Sequence, residues 1–375
     1  MVEPTIPITP EEITPEWLTH ALRESEILVK ATVESVDIEA VGEGRGALSQ
    51  IVRLNITYDH YETHAPESLI AKLSLPDPEM RKARTSIYAN EIHFYRELAN
   101  RMNLYTPRLY FSAMRDEEGL FILLLEDLSA LHPIGQTGCW VEETKCAVTH
   151  LTLLHAQFWG DPHLKRLEWL SDWNPVVYEG QWQAFKTRTE EHWTVFKDKM
   201  GHRLSAQIMK IGDHLAEYLV YVTRQLEQLP RTLIHGDFDP NNLLFGAVDG
   251  PTPIAVIDWQ FLEYAPGVLD MSRFLSDALS PQDLTEHETM LLENYHAGLM
   301  ENGVEGYDFD QCLRAYRLSV LKQFCHAVSF ASRLDSVDEN ARRRLESIIH
   351  SKLTIVDRSN IEELLPSNAS IFKQF

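Results

Sequence analysis

The stretch His235-Gly-Asp-Phe-Asp-Pro-Asn-Asn242 places a carboxylate and an amide at a spacing that suits phosphate chemistry. Four residues separate Asp237 from Asn242, within a run of turn-forming residue types. A carboxylate can take the proton from a hydroxyl, and an amide oxygen about one turn further on can hold a magnesium ion that bridges phosphate oxygens. Asp239 is expected to have only a structural role in the turn. Residues 235–242 are therefore predicted to be both a turn into a strand and a catalytic loop.

Three more charged residues occur where this chemistry would need them. Asp258 ends an apolar strand and is followed by Trp259 and Gln260. Lys72 lies in the apolar run Leu69-Ile-Ala-Lys-Leu73, and Glu91 lies in the helical segment that follows. In protein kinases a strand lysine pairs with nucleotide phosphates, a helix glutamate holds that lysine, and a strand-ending aspartate binds metal.

A glycine-rich turn precedes these residues. Gly42, Gly44 and Gly46 stand between the first two predicted strands, where glycine lets backbone N–H groups approach phosphate oxygens. Each feature alone has a simpler explanation: a hairpin turn, an exposed strand lysine, an exposed helix acid or a strand-ending aspartate. Their order along the chain is that of a kinase, and it favours the functional interpretation.

The elements that must position these residues predict a two-lobed α+β fold of the protein-kinase type. A helix over residues 14–23 begins with Thr14 as N-cap and Pro15 at the first helical position. Apolar patterns typical of strands predict five of them, at 31–40, 51–58, 68–74, 108–114 and 120–125. Apolar residues at helical spacing predict one long helix at 78–102. We expect residues 1–127 to form a small nucleotide-binding lobe around this antiparallel sheet.

The rest of the chain, residues 128–375, is predicted to be a large and mostly helical lobe that carries the catalytic loop and the substrate site. Helical periodicity covers residues 142–159, 181–199, 205–228, 281–302, 308–333 and 339–356. Short strands are expected only near 243–245 and 254–257.

Composition limits the classes of partner. The formal net charge of −22 would repel a phosphate backbone, so we expect no nucleic acid as partner. The N-terminal stretch has neither a basic segment nor an apolar one of signal-peptide type, which predicts a cytoplasmic protein without a membrane partner. The four cysteines form no CxxC pair, so neither a disulfide framework nor a zinc site is expected.

Four segments together resemble a known superfamily. They are Phe121-Ile-Leu-Leu-Leu-Glu-Asp-Leu128, Leu151-Thr-Leu-Leu-His-Ala-Gln-Phe-Trp159, the catalytic-loop stretch from His235, and Ile257-Asp-Trp-Gln260. They resemble the aminoglycoside phosphotransferase and choline kinase superfamily. The Asp-Trp-Gln ending and the run Asn90-Glu-Ile-His-Phe-Tyr-Arg-Glu-Leu98 are most similar to its ecdysteroid-kinase-like branch.

The resemblance implies an ATP- and Mg²⁺-dependent transfer of the γ-phosphoryl group to a hydroxyl of a small organic molecule. Asp237 would be the catalytic base, and Asn242 and Asp258 the magnesium ligands. Lys72 would clamp the phosphates, with Glu91 as its partner. The acceptor would be an antibiotic, an amino alcohol, a sterol or another secondary metabolite.

The resemblance also implies supporting roles. Residues from Glu126 to Leu128 would form the hinge whose backbone meets the nucleotide base. Ser49 would belong to the phosphate loop together with Gly44 and Gly46. His235 and Asp270 would support the catalytic loop, with Asp270 bracing it from a helix start.

Some questions stay open at the level of sequence. A nucleotide-binding scaffold with weak catalysis, or transfer of a nucleotidyl group on the same fold, would give similar motifs. No A-P-E element follows Asp258, and Gly236 replaces the arginine of the kinase loop, so regulation by loop phosphorylation and a protein substrate are not expected. The segment 157–196 holds five of the eight tryptophans. They form either an aromatic wall of the acceptor site or the core of a helix pair. The choice between ATP and GTP and the oligomeric state are not determined.

Overall fold

The computed structural model describes residues 5–41, 48–133, 141–171, 182–246 and 254–366. The chain divides into two compact units. The first comprises Met1–His132 and Leu244–Phe261, and the second comprises Pro133–Leu243 and Leu262–Phe375. The predicted α+β fold with a five-stranded antiparallel sheet is confirmed. The lobe division at residue 127 stays a prediction, and the compact units add Leu244–Phe261 to the first of them.

The sheet of the first unit runs in the order β1-β2-β3-β5-β4. Its strands are β1 (Val33–Ala40), β2 (Gln50–Tyr58), β3 (Ser68–Leu73), β4 (Leu109–Arg115) and β5 (Leu120–Glu126). Strand alternation places Lys72 on the face opposite to Ala71 and Leu73. Helix α1 (Pro15–Glu24) packs on the Ala71 and Leu73 face. Lys72 therefore projects from the other face.

Helix α1 begins as its sequence predicts, because the Thr14 side chain accepts a hydrogen bond from Trp17 N and Pro15 occupies the first turn. The single helix predicted over 78–102 is wrong in one respect, since Arg84 leaves helical geometry at φ −113° and ψ 6°. The segment forms α2 (Pro78–Lys82), α3 (Thr85–His93), a π-helical turn (Phe94–Leu98) and a 3-10 turn (Ala99–Arg101). The wider π turn holds an extra residue, which lets the adjacent Phe94 and Tyr95 both be buried.

The second unit is mostly helical, as predicted. Its helices are α4 (Val141–Gln157), α5 (Trp182–Met200), α6 (Ala206–Gly212), α7 (Leu215–Glu227), α8 (Val268–Ala278), α9 (Pro281–Glu301), α10 (Phe309–Ala331) and α11 (Glu339–Arg358). The sequence predicted one helix where α6 and α7 lie, and it did not define α8. Helix α10 packs against α5, α7, α8 and α11, and it supplies much of the core.

Short strands complete both units. They are β6 (His132–Pro133), β7 (Thr232–Ile234), β8 (Leu243–Phe245), β9 (Ile254–Val256) and β10 (Glu263–Ala265). β7 and β10 pair antiparallel in the second unit. In the first unit Val256 N donates a 3.0 Å hydrogen bond to Tyr105 O, which docks β9 beside the end of the helical segment.

In the described part of the chain, no helix combines the length and apolar character that crossing a membrane requires. Cys146, Cys312 and Cys325 are free thiols, and Cys139 lies outside the described residues.

Candidate active site

Lys72 is the centre of a buried ion cluster in the first unit. Its Nζ lies 2.6 Å from Glu91 Oε2 and 2.5 Å from Asp258 Oδ1. Glu91 is 1% exposed and Lys72 5% exposed. Burial alone would lower the pKa of Lys72, but the carboxylates of Asp258 and Glu91 outweigh it and raise that pKa above its ordinary range. Lys72 therefore carries a permanent positive charge.

Burial disfavours the charged form of Glu91 in this cluster. Burial raises its pKa to about 7, although the charge of Lys72 acts in the opposite direction. A buried carboxylate is stable only while a cation stays beside it. Lys72 therefore stabilises the charge of Glu91, and Glu91 in turn holds Lys72 in position.

Asp258 reaches Lys72 because its backbone adopts a left-handed conformation, with φ +67°. Such a conformation costs about 1–3 kcal/mol in a non-glycine residue and is typical of functional sites. The other carboxylate oxygen, Oδ2, accepts a 3.1 Å hydrogen bond from Gln260 Nε2. Both oxygens of Asp258 thus have defined partners.

The residues after Asp258 tie it to the helix that carries Glu91. Trp259 is fully buried and stacks on Phe94, with ring centroids 4.2 Å apart and planes 8° apart. Asn90 Nδ2 donates a 3.4 Å hydrogen bond to Gln260 O. Packing and hydrogen bonding therefore fix Asp258 relative to Glu91.

In the second unit, Asn242 is bonded to Asp237. Its Nδ2 donates to the main-chain oxygen of Asp237 at 2.8 Å and lies 3.3 Å from Asp237 Oδ2. The 3-10 turn Pro240–Asn242 sets this contact, and Asp239 caps the turn by accepting from Asn241 N at 2.8 Å. Because the amide nitrogen faces Asp237, the amide oxygen of Asn242 points away from it.

Asp270, at the start of α8, holds the backbone of the predicted catalytic loop. Its carboxylate accepts from His235 N at 2.7 Å and from Gly236 N at 2.9 Å. Gly236 has φ +79°, a conformation that glycine adopts without strain. Burial would raise the pKa of Asp270, but hydrogen bonds and the nearby His155 lower it below its ordinary value. Asp270 is therefore an ionised acceptor in the core.

His155 and Tyr295 complete this support. His155 is fully buried, with Nε2 3.4 Å from Asp270 Oδ2 and Nδ1 2.8 Å from the Tyr295 hydroxyl. His155 lies in the segment that carried the family resemblance, but the sequence did not indicate which residue it contacts.

Arg273 was missed by the sequence analysis. Its Nη2 lies 2.8 Å from Asp237 Oδ1 and 3.3 Å from Asp239 Oδ2. It stands one helical turn after Asp270, and that spacing was the one sequence signal that could have found it. Asp239, expected to be only a turn residue, thus also takes part in an ion pair.

The other predicted site residues are less defined. Gly44 and Gly46 lie outside the described residues. Ser49 is buried just before β2. The Glu126 carboxylate accepts from the Tyr105 hydroxyl at 2.9 Å and from Arg108 N at 3.1 Å, and Leu128 O accepts from Leu131 N. The hinge role of these residues stays a prediction.

One tryptophan of the segment 157–196 is buried in the protein core. Trp193 is buried, donates to Asp213 Oδ1 at 2.9 Å and packs against Phe196 and Phe324. It is a core residue of the helix pair. Trp173 lies outside the described residues.

Comparison with solved structures shows the class of fold. An amicoumacin kinase solved with AMP-PNP, Ca²⁺ and Ami has a TM-score of 0.55 and 13% identity, and the match covers 94% of both chains. A choline kinase from Cryptosporidium parvum has a TM-score of 0.52 and 12% identity, with 90% of this chain and 93% of the other covered. The fold is that of small-molecule kinases.

Sequence comparison narrows this class. Residues 162–304 match the model of the ecdysteroid kinase-like family. A homoserine kinase from Zymomonas mobilis is 29% identical over 136 residues, which are 35% of this chain and 42% of that protein. The chain thus aligns with less than half of this relative's length. The expected resemblance to the small-molecule kinases, including the ecdysteroid-kinase-like branch, is confirmed.

Proposed function

We propose that this protein transfers the γ-phosphoryl group of ATP to a hydroxyl of a small organic acceptor. The observation that carries the proposal is the buried Lys72, bonded to both Glu91 and Asp258. A purely structural core would not gain from the buried charges of Lys72 and Glu91, because hydrophobic residues of similar size are as stable or more stable. A phosphate-binding lysine needs such partners for its position.

Asp237 acts as the base. It orients the acceptor hydroxyl and takes its proton as the oxygen attacks the γ-phosphorus, while the bond from that phosphorus to the ADP oxygen breaks. Lys72 neutralises charge on the ATP phosphates. Each of these groups acts mainly by position and charge, as is usual for phosphoryl transfer.

Asn242 and Asp258 would hold Mg²⁺. An amide oxygen and a carboxylate are the hard oxygen ligands that this ion prefers, and few protein ligands are needed because water and phosphates supply the others. When bound, the ion would offset the negative charge of the phosphates.

The acceptor belongs to the hydroxylated metabolites. The similar proteins are named as kinases of homoserine, amicoumacin and choline, and the matching family is named for ecdysteroids. We propose a cytoplasmic enzyme that takes one antibiotic, amino alcohol, sterol or comparable secondary metabolite.

An ATP-consumption screen over these classes tests the proposal, with mass spectrometry of the product. A phosphate-sized mass gain that Asp237→Ala reduces by about 10²–10⁴-fold, with ATP binding retained, is the expected result. A nucleotide-sized gain would instead show nucleotidyl transfer. Binding of ATP without transfer to any acceptor would favour the scaffold.

A further inference from the structure

We propose that Arg273 is a positioning residue for the base Asp237, an inference that rests on the proposed function. The guanidinium fixes one carboxylate oxygen of Asp237, at 2.8 Å, and also meets Asp239 at 3.3 Å. The same helix, α8, carries Asp270, which holds the backbone of the loop. One helix therefore sets both the main chain and the reactive side chain.

The guanidinium is itself held on two other sides. Arg273 Nε lies 2.8 Å from Asp277 Oδ2, one turn along α8. Its Nη1 lies 3.1 Å from Nδ1 of His326 on α10. Burial and the charge of Arg273 lower the pKa of His326 well below its ordinary value, so the imidazole is neutral and its Nδ1 can accept this hydrogen bond.

Asp277 is fixed in turn from α11. Lys352 is fully buried, and its Nζ lies 2.5 Å from Asp277 Oδ1. The same Nζ donates to Ser276 Oγ at 2.9 Å and to Gln323 Oε1 at 3.2 Å. Arg273 thus has an orientation defined by α8, α10 and α11, which is the preorganisation that a positioning role requires.

The positive charge of Arg273 acts on the two carboxylates that it contacts, Asp237 and Asp239. Asp237 and Asp239 are two residues apart in the loop, and burial together with the charge of Asp237 raises the pKa of Asp239. Two negative charges in one loop repel each other, and this repulsion acts on the position of the Asp237 side chain. Arg273 Nη2 contacts both carboxylates, offsets their repulsion and holds the Asp237 side chain in place.

The proton balance also fits. An arginine side chain stays protonated in proteins, so Arg273 cannot take the acceptor's proton from Asp237. The O–H bond of the acceptor breaks, the proton stays on Asp237, and the acceptor oxygen forms the new bond to phosphorus. Arg273 contributes orientation and charge, and it does not enter the covalent step.

Kinetics of three variants test the role. Arg273→Ala should lower kcat about a hundredfold without changing ATP affinity, because it misplaces the base. Arg273→Lys should restore part of the activity, and so should methylguanidinium added to Arg273→Ala. Arg358→Ala, which removes an ion pair to Glu288 at 3.0 Å in the same unit, is the matched control and should keep full activity.

The outcomes separate this inference from the proposed function. The assay uses the acceptor found in the screen, or hydrolysis of MgATP by water. Absence of phosphoryl transfer by the wild type would overturn the proposed function, whereas a fully active Asp237→Ala would overturn the role of Asp237 as base and with it that of Arg273. An inactive Asp237→Ala beside an Arg273→Ala as active as the Arg358→Ala control would overturn only the role of Arg273. If neither Arg273→Lys nor added methylguanidinium restored the activity that Arg273→Ala loses, the role of Arg273 would be only structural.

A double-mutant cycle tests the contact without any activity. The unfolding temperatures of Asp237→Asn, Arg273→Met and the double variant should be non-additive, because either single change removes the same direct ion pair. Additive shifts would show that the two side chains do not interact.

Discussion

Replacing Lys72 by Met should reveal the cost of the buried carboxylate beside it. The Lys72 side chain is 7% exposed and lies 2.6 Å from Glu91, which is 1% exposed. Burial already raises the pKa of Glu91 to about 7 with the lysine present. Without the lysine, Glu91 must bind a proton in the folded state at pH 7.

The size of the effect follows from the ordinary glutamate pKa. Protonating a carboxyl of pKa 4.5 at pH 7 costs about 3 kcal/mol, which sets the scale by which Lys72→Met should be less stable than Lys72→Met/Glu91→Gln. The difference from the wild type should be smaller, because a folded pKa of about 7 means that the wild type already bears part of this cost. Changing Glu91 to Gln in the same chain should recover most of that free energy, since the amide needs no proton. The wild-type ion pair itself contributes little net stability.

The sign of the pH dependence is also fixed. In Lys72→Met the folded pKa of Glu91 exceeds the unfolded value, so the folded state binds more protons between those two values. The stability deficit of Lys72→Met relative to Lys72→Met/Glu91→Gln should therefore be largest at pH 7 and shrink as the pH falls toward 4.5.

Urea unfolding of the wild type, Lys72→Met and Lys72→Met/Glu91→Gln at pH 7 and pH 5 measures these terms. Lys145→Met is the matched control, because Lys145 forms an exposed ion pair with Glu142 at 2.8 Å and should change stability by less than about 1 kcal/mol. The reasoning is refuted if the double variant is no more stable than Lys72→Met at pH 7.

Three further perturbations have defined outcomes. Asp270→Asn should lower the unfolding temperature at pH 7, and the difference from wild type should narrow below about pH 4. The reason is that a carboxylate with a lowered folded pKa loses its contribution to stability as the pH falls through that pKa. Equal differences in unfolding temperature at pH 7 and pH 3 would contradict this. Trp259→Ala should cost about 3–5 kcal/mol in urea unfolding, since it empties a fully buried site stacked on Phe94; a loss below about 1 kcal/mol would show that the stack is dispensable. Thr14→Ala should cost about 1 kcal/mol through the lost helix cap, and Thr14→Ser should cost much less.

Much of the fold could be predicted because local patterns determine it. Alternating or continuous runs of apolar residues located all five strands of the sheet, and Thr14 with Pro15 located the start of α1. Asp239, Pro240 and Asn241 predicted the turn between Asp237 and Asn242. In that turn the Asn242 side chain donates a hydrogen bond to the main-chain oxygen of Asp237 at 2.8 Å. In each case the residues that contact each other are close in the chain, or their pairing follows from the order of the strands.

Contacts between distant segments could not be predicted in this way. The helical pattern over 78–102 is continuous in sequence, but packing of Trp259 on Phe94 involves residues far apart in the chain. The π turn begins at Phe94, the residue whose ring stacks on Trp259, so this turn accompanies a tertiary contact. The fully buried Lys352 is a similar case, since a lysine on a helix is ordinarily solvated.

Asp239 shows how a correct local prediction can be incomplete. One of its oxygens, Oδ1, caps the turn before Asn242, as residue type and the following proline indicate. The other oxygen, Oδ2, meets Arg273, whose helix begins more than twenty-five residues later in the chain. A residue that shapes the turn is therefore also part of the charge balance around Asp237. Because Asp270 and Arg273 lie one turn apart on α8, a displacement of that helix would move the loop backbone and the side chain of the proposed base Asp237 together.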